Sequence, residues 1–287
     1  MTGSCHLLFL AACPLALAAQ VAISQAELEG ARHFVIQTPA ATYWYDQAGG
    51  GFSRLLDREG KDWIAFRREP WDVYPDSAAS AYRGLPNFVF GAAETGAGHP
   101  GFTRCASTQV DNSTIRTTSR SGAWQWTWRF SAAYAQVTME RAGPGGFWFL
   151  YEGTPGGGYS PTNWYWGHDG EGPLRALPDF VKGGREVGQF RWAYFGDDRA
   201  GRVLFVAQLE PDDVPDSFGV MGNTRAGIES PDGMTVFGFG RSAAAKPLLT
   251  EAPRTFLVGF FEQRVTTPEA HQALRAYIER LLPEQRP

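Results

Sequence analysis

The chain has 287 residues, 43% of them hydrophobic and 14% aromatic, enough for one large β domain or two smaller ones. Its net charge of −4 argues against nucleic acid, which requires a basic face. Arginine supplies nearly all the positive charge, since only Lys61, Lys182 and Lys246 are lysines. That bias suits carboxylate binding and would also follow from a skewed genome composition.

Residues 1–18 contain no Asp, Glu, Lys or Arg, and Leu7 to Ala18 are mostly apolar. Ala16-Leu17-Ala18 fits a secretory cleavage site, so residues 1–18 are expected to be a signal peptide and the chain secreted or periplasmic. Leu10-Ala11-Ala12-Cys13 also matches a lipoprotein box, which would anchor the chain at Cys13, although the residues after it are apolar. The apolar run is too short for a membrane span. Beyond this leader only Cys105 remains, so no internal disulfide is expected, and Cys105 reads as a small core residue.

Residues 29–287 are expected to form a single domain. Gly and Pro recur at short intervals and leave segments of strand length. Strands are predicted from His33 to Thr38, Ala41 to Tyr45, Phe52 to Leu56 and Asp62 to Phe66. Trp124, Trp126, Trp128 and Phe130 alternate with polar residues, which places four aromatics on one face of a strand and reads as core. Later strands are predicted at Phe147 to Tyr151, Phe190 to Phe195, Arg202 to Glu210, Met234 to Phe239 and Thr255 to Gln263. One helix follows: Thr267 is the N-cap, Pro268 opens it, and Ala270, Leu274, Ile278 and Leu281 form its apolar stripe. His271 falls on another face and is expected to be solvated. Many strands and one terminal helix imply a large antiparallel β-sandwich with a C-terminal helix.

The chemistry-bearing residues concentrate in two Gly-rich segments. In Tyr151–Gly170, Trp164, Trp166 and His168 occupy every second position, so an extended run projects two indoles and an imidazole to one side. Such a face can hold a pyranose and move protons on it, and a buried aromatic strand reads the same way. In the second segment, Tyr82-Arg83-Gly84-Leu85-Pro86-Asn87 is followed by His99-Pro100-Gly101-Phe102-Thr103-Arg104, which brings His, Arg and Asn together. Two carboxylates compete for a role: Glu262, which continues the row Phe256, Val258, Phe260, and Glu152 in the first Gly-rich segment. The acidic run Glu210, Asp212, Asp213, Asp216 lacks the spacing of a calcium loop. No metal or other cofactor is expected. There is no phosphate loop, HExxH or GxSxG.

The Arg-Gly-x-Pro segment, the His-Pro-Gly-Phe-x-Arg segment after it, the second His about seventy residues on and the late Glu resemble the galactose mutarotase-like superfamily. The resemblance implies a β-supersandwich acting on carbohydrate. By the pattern of its hexose epimerases, His99 would polarise the sugar, His168 would protonate the ring oxygen and Glu262 would take the anomeric proton. Arg83, Asn87, Glu152, Trp164 and Trp166 would hold the substrate. A polysaccharide lyase of the same architecture would instead use Arg83 or Asn87 to neutralise a uronate. A non-catalytic carbohydrate-binding module is the alternative to both.

Overall fold

The computed structural model describes residues 21–70, 82–184 and 186–282, so the expected signal peptide and Cys13 lie outside the described residues. Two antiparallel sheets face each other. The first has nine strands in the order β1 (Ala22–Leu28), β2 (Ala31–Gln37), β3 (Ala41–Asp46), β4 (Gly51–Asp57), β5 (Gly84–Asn87), β10 (Phe149–Gly153), β16 (Gly233–Phe239), β15 (Asp216–Gly222), β12 (Glu186–Gly188). The second has eight, in the order β11 (Trp164–His168), β13 (Trp192–Asp197), β14 (Val203–Gln208), β17 (Arg254–Phe261), β9 (Tyr134–Arg141), β8 (Gln125–Phe130), β7 (Thr114–Ser119), β6 (Cys105–Asp111). Among the described residues the first strand of the sandwich is β1, and residues 22–28 therefore belong to the sheet together with those from 29 on. β1 pairs with β2 along its whole length.

Period-2 alternation sorts the side chains. Trp126, Trp128, Phe130, Val258, Phe260, Phe149 and Tyr151 all point between the sheets and share one buried aromatic core. Each such aromatic removes roughly 150–250 Å² from water, which makes this core the main source of stability among the described residues, where no disulfide occurs. Cys105 is part of it, and burial pushes its thiol up to about 12. The outer face of the eight-stranded sheet is covered by α1 (Pro268–Glu279). Thr267 caps it as expected, its Oγ1 accepting the Ala270 N–H at 3.2 Å.

Three expectations change. Asp62 to Phe66 is not a strand; it meets β4 only at the Leu56–Asp62 bridge, and the Asp62 carboxylate takes the Leu55 and Ile64 N–H groups instead. His271 is buried, because positions 271, 274 and 278 share the inward stripe of α1 and the ring packs against Trp192 and Tyr194. The strands β1, β5, β6, β7, β9, β12 and β15 were not expected from the sequence; β6 and β7 are rich in Ser and Thr, and β5 holds Gly84 and Pro86.

Candidate active site

The nine-stranded sheet has a second face, turned away from the core. On β10, Phe149 and Tyr151 point inward, so Leu150 and Glu152 point outward. Leu150 lies there with Trp148, Met221, Met234, Val236 and Phe180. Glu152 stands opposite Gly84 on β5 and Val236 on β16. It is an ionisable group set into an apolar face, with no exposed surface.

His99 reaches Glu152 from the Gly-rich loop after β5. Its Nε2 lies 3.5 Å from Glu152 Oε2, and both side chains are fully buried. The loop is held by the β3–β4 turn, where Gly98 and His99 both donate their N–H to Gly49 O. Gly84 makes the close approach possible, since a Cβ there would sit 2.6 Å from His99 Cε1. Asn87 Nδ2 donates to Glu152 Oε1 at 3.3 Å. Oε2 has no hydrogen-bond partner. A buried carboxyl oxygen without a partner is a costly feature that a stable fold does not require.

Burial decides the charge state. It pushes the Glu152 carboxyl up to about 8, against smaller opposing effects from Asn87 and the Arg241 guanidinium. It pulls His99 down to about 4, although carbonyls stand beside both ring nitrogens, Pro86 O at 3.3 Å from Nδ1 and Tyr82 O at 3.2 Å from Nε2. At neutral pH the couple is a carboxylic acid beside a neutral imidazole, an acid and a base in one place.

Arg83 lies immediately before β5. Its Nε donates to Thr154 Oγ1 at 2.8 Å, and its Nη2 to Asp232 Oδ1 at 2.6 Å and Gly233 O at 2.8 Å. Arg241 was not singled out in the sequence. It is fully buried, with its guanidinium 4.4 Å from the Phe180 ring centroid and 5.8 Å from that of Trp148. A Gly-flanked Arg just after a strand was its only signal.

The other expected residues stand elsewhere. Trp164 and Trp166 are about 1% exposed and face the sandwich core, which removes their ring faces from any ligand. Trp164 Nε1 donates to Asp197, and Trp166 stacks on Phe218 at 4.1 Å. His168 ends β11, at the rim of the other sheet. Its Nδ1 accepts the Gly170 N–H, and its ring lies by Trp166 and Phe190. Among the described residues, no hydrogen bond, ion pair or ring contact joins it to His99 or Glu152. Glu262 sits just beyond β17, half exposed, and pairs with Arg202 at 3.3 Å and Arg58 at 3.8 Å. The structure thus brings His99, Glu152 and Asn87 together, with Arg83 immediately before β5, the strand that carries Asn87. It does not bring His168, Glu262, Trp164 or Trp166 to them. In the acidic run, Asp212 pairs with Arg254 and Asp216 accepts two backbone N–H groups. No trio of metal-ligating side chains forms among the described residues.

No family model and no curated protein matches the chain. Among solved structures, HI1317 aligns with a TM-score of 0.50 at 10% identity, over 87% of this chain and 98% of its own. YeaD from Salmonella typhimurium, provisionally assigned as a mutarotase, gives 0.46 at 12% identity, over 85% and 94%. An Escherichia coli K12 protein provisionally assigned as an aldose 1-epimerase gives 0.42 at 11% identity, over 85% and 100%. At such identities the likeness is one of fold. The expected large antiparallel β-sandwich with a C-terminal helix, an architecture shared by HI1317, is the fold of this chain. Its chemistry has to be argued from its own residues.

Proposed function

We propose that this protein is a carbohydrate-active enzyme of the aldose-epimerase type, with Glu152 as the acid and His99 as the base. One observation carries this reading: the fully buried Glu152 Oε2, without a hydrogen-bond partner and 3.5 Å from His99 Nε2. Opening a sugar ring needs one proton delivered to the ring oxygen and one removed from the anomeric hydroxyl. A carboxyl held protonated near neutrality supplies the first, and a neutral imidazole accepts the second. Transfer between the two groups then restores both. Each positioned group is typically worth about 10²–10⁴ in rate. Since the couple is closed to water, the substrate meets it in a form where the covering segments open. Arg241 supplies a fixed positive charge that Glu152 feels.

The lyase reading is less well supported. The Arg83 guanidinium already serves Thr154, Asp232 and Gly233, which leaves it poorly placed to neutralise a uronate. A non-catalytic sugar-binding domain is favoured by one observation only: His168 and Glu262 are not assembled with His99. Proton NMR of sugars incubated with the protein separates the readings. Accelerated anomeric exchange that is lost in Glu152→Gln supports the proposal. Line broadening of sugar resonances without exchange supports binding alone. New vinyl signals point to a lyase. Export from the cell, expected from residues 1–18, belongs to the same proposal and is tested by whether the mature N-terminus follows Ala18.

A further inference from the structure

A cavity lies beside the β3–β4 turn that holds His99. It measures about 420 Å³, enough for a sugar-sized molecule. Arg32 from β2 and Arg68 from the segment after β4 line it, and both are exposed. Glu27 stands opposite Arg32 across the β1–β2 pair, and the Arg68 backbone N–H donates to Glu29 Oε2. Yet among the described residues neither guanidinium forms an ion pair. Gln47 adds an amide Nε2 that is buried and lacks a hydrogen-bond acceptor.

Asp46 is the one carboxylate in the lining, and its charge is already engaged. Its Oδ1 accepts the Ala48 and Gly49 N–H groups at 3.0 and 3.1 Å, and its Oδ2 accepts the Gly101 N–H at 3.1 Å. The cavity therefore offers two guanidinium forks free of ion pairs among the described residues, and the one carboxylate in its lining is held by three backbone N–H groups. Planar forks of this kind match an oxyanion bidentately.

We propose that this cavity binds an anionic sugar through its carboxylate or sulfate, held by Arg32 and Arg68. The site is separate from the Glu152–His99 couple, and only the sugar part of the ligand rests on the function proposed above. The shared turn ties the two places together: Gly49 O accepts from Gly98 and His99, while Asp46 shapes the cavity wall and grips Gly101.

Isothermal titration of the full chain at low salt tests this, with glucuronate, glucose and inorganic sulfate as probes. Glucuronate is expected to bind and glucose is not. Arg32→Ala and Arg68→Ala should each weaken glucuronate about tenfold or more, as loss of a charge-assisted hydrogen bond does, with unchanged melting temperatures because both side chains are exposed. Arg68→Lys should retain part of the affinity. Rising salt should weaken binding. Glu152→Gln should leave glucuronate affinity unchanged, whatever it does to turnover. Several results would overturn the proposal: no binding, affinity indifferent to both arginine variants, sulfate binding as tightly as glucuronate, or loss of binding in Glu152→Gln. The last would place the acid at the Glu152 couple instead.

Discussion

Replacing Glu152 with Gln should make the protein more stable at neutral pH while removing its activity. The amide keeps the Asn87 contact and offers an N–H where the protonated carboxyl offered an O–H. The gain follows from burial. The folded carboxyl holds its proton up to about pH 8, whereas an ordinary carboxyl releases it near 4.5. Between these values the unfolded chain gains an ionised, solvated carboxylate that the native state cannot match. Wild-type stability from this group is thus complete below 4.5 and is lost as pH rises through 8. Each pH unit in that window is worth about 1.4 kcal/mol, so the accumulated loss at pH 7 is about 3 kcal/mol. Glu152→Gln has no such loss. Urea unfolding of both proteins from pH 5 to 8, followed by tryptophan fluorescence, should show curves that nearly coincide at the acid end. They should diverge by about 3 kcal/mol at pH 7, with equal denaturant slopes. A variant less stable than wild type at pH 7 would mean that Glu152 is ionised against a protonated His99, and the assignment of acid and base would fail.

His99 should produce the opposite limb. Its pKa near 4 means the native ring refuses a proton that the unfolded ring takes from 6.5 downward, so stability should fall by about 3 kcal/mol between pH 6.5 and 4. That fall should persist in Glu152→Gln and be visible when the urea series is extended down to pH 4. Trp166→Ala should cost about 3–5 kcal/mol in chemical denaturation, because it empties a core site; a loss of sugar affinity with intact stability would contradict its burial. Arg202→Ala should destabilise by about 3 kcal/mol, since it strips Asp57, Glu59 and Glu262 of their shared cation. Glu262→Gln should change stability by under about 1 kcal/mol and leave anomeric exchange intact, which kinetic assay of the variant would check.

The strands that could be read from the sequence are those whose side chains alternate between water and core. Trp126, Trp128 and Phe130 announce β8 because one face meets the opposite sheet while Arg129 stays in solvent. The 267–281 segment announces α1 through its cap and stripe. β6, Cys105 to Asp111, carries no such contrast, since it is an edge strand with most side chains exposed. Residues 164–168 show the limit of the same signal. Alternation said that Trp164, Trp166 and His168 share a side, and that is so, but it could not say whether the side faced a ligand or the core. For Glu152 the difficulty is distance along the chain. Its neighbours in a row are apolar, and its meaning comes from His99 and Asn87, brought to it by pairing of β10 with β5. The spacing of Arg83, Asn87 and His99 in one Gly-rich segment was legible. The carboxylate they converge on was open between Glu152 and Glu262, and only the three-dimensional pairing separates a buried Glu beside His99 from a surface Glu beside Arg202.

The most direct test of the Glu152–His99 account is exchange NMR of anomeric protons across a panel of free aldoses, with wild type, Glu152→Gln and His168→Asn compared at equal concentration. The account predicts that wild type accelerates interconversion of at least one sugar, that Glu152→Gln loses about 10²–10⁴ of that rate, and that His168→Asn keeps it. Full activity in Glu152→Gln, or its loss in His168→Asn alone, would contradict it.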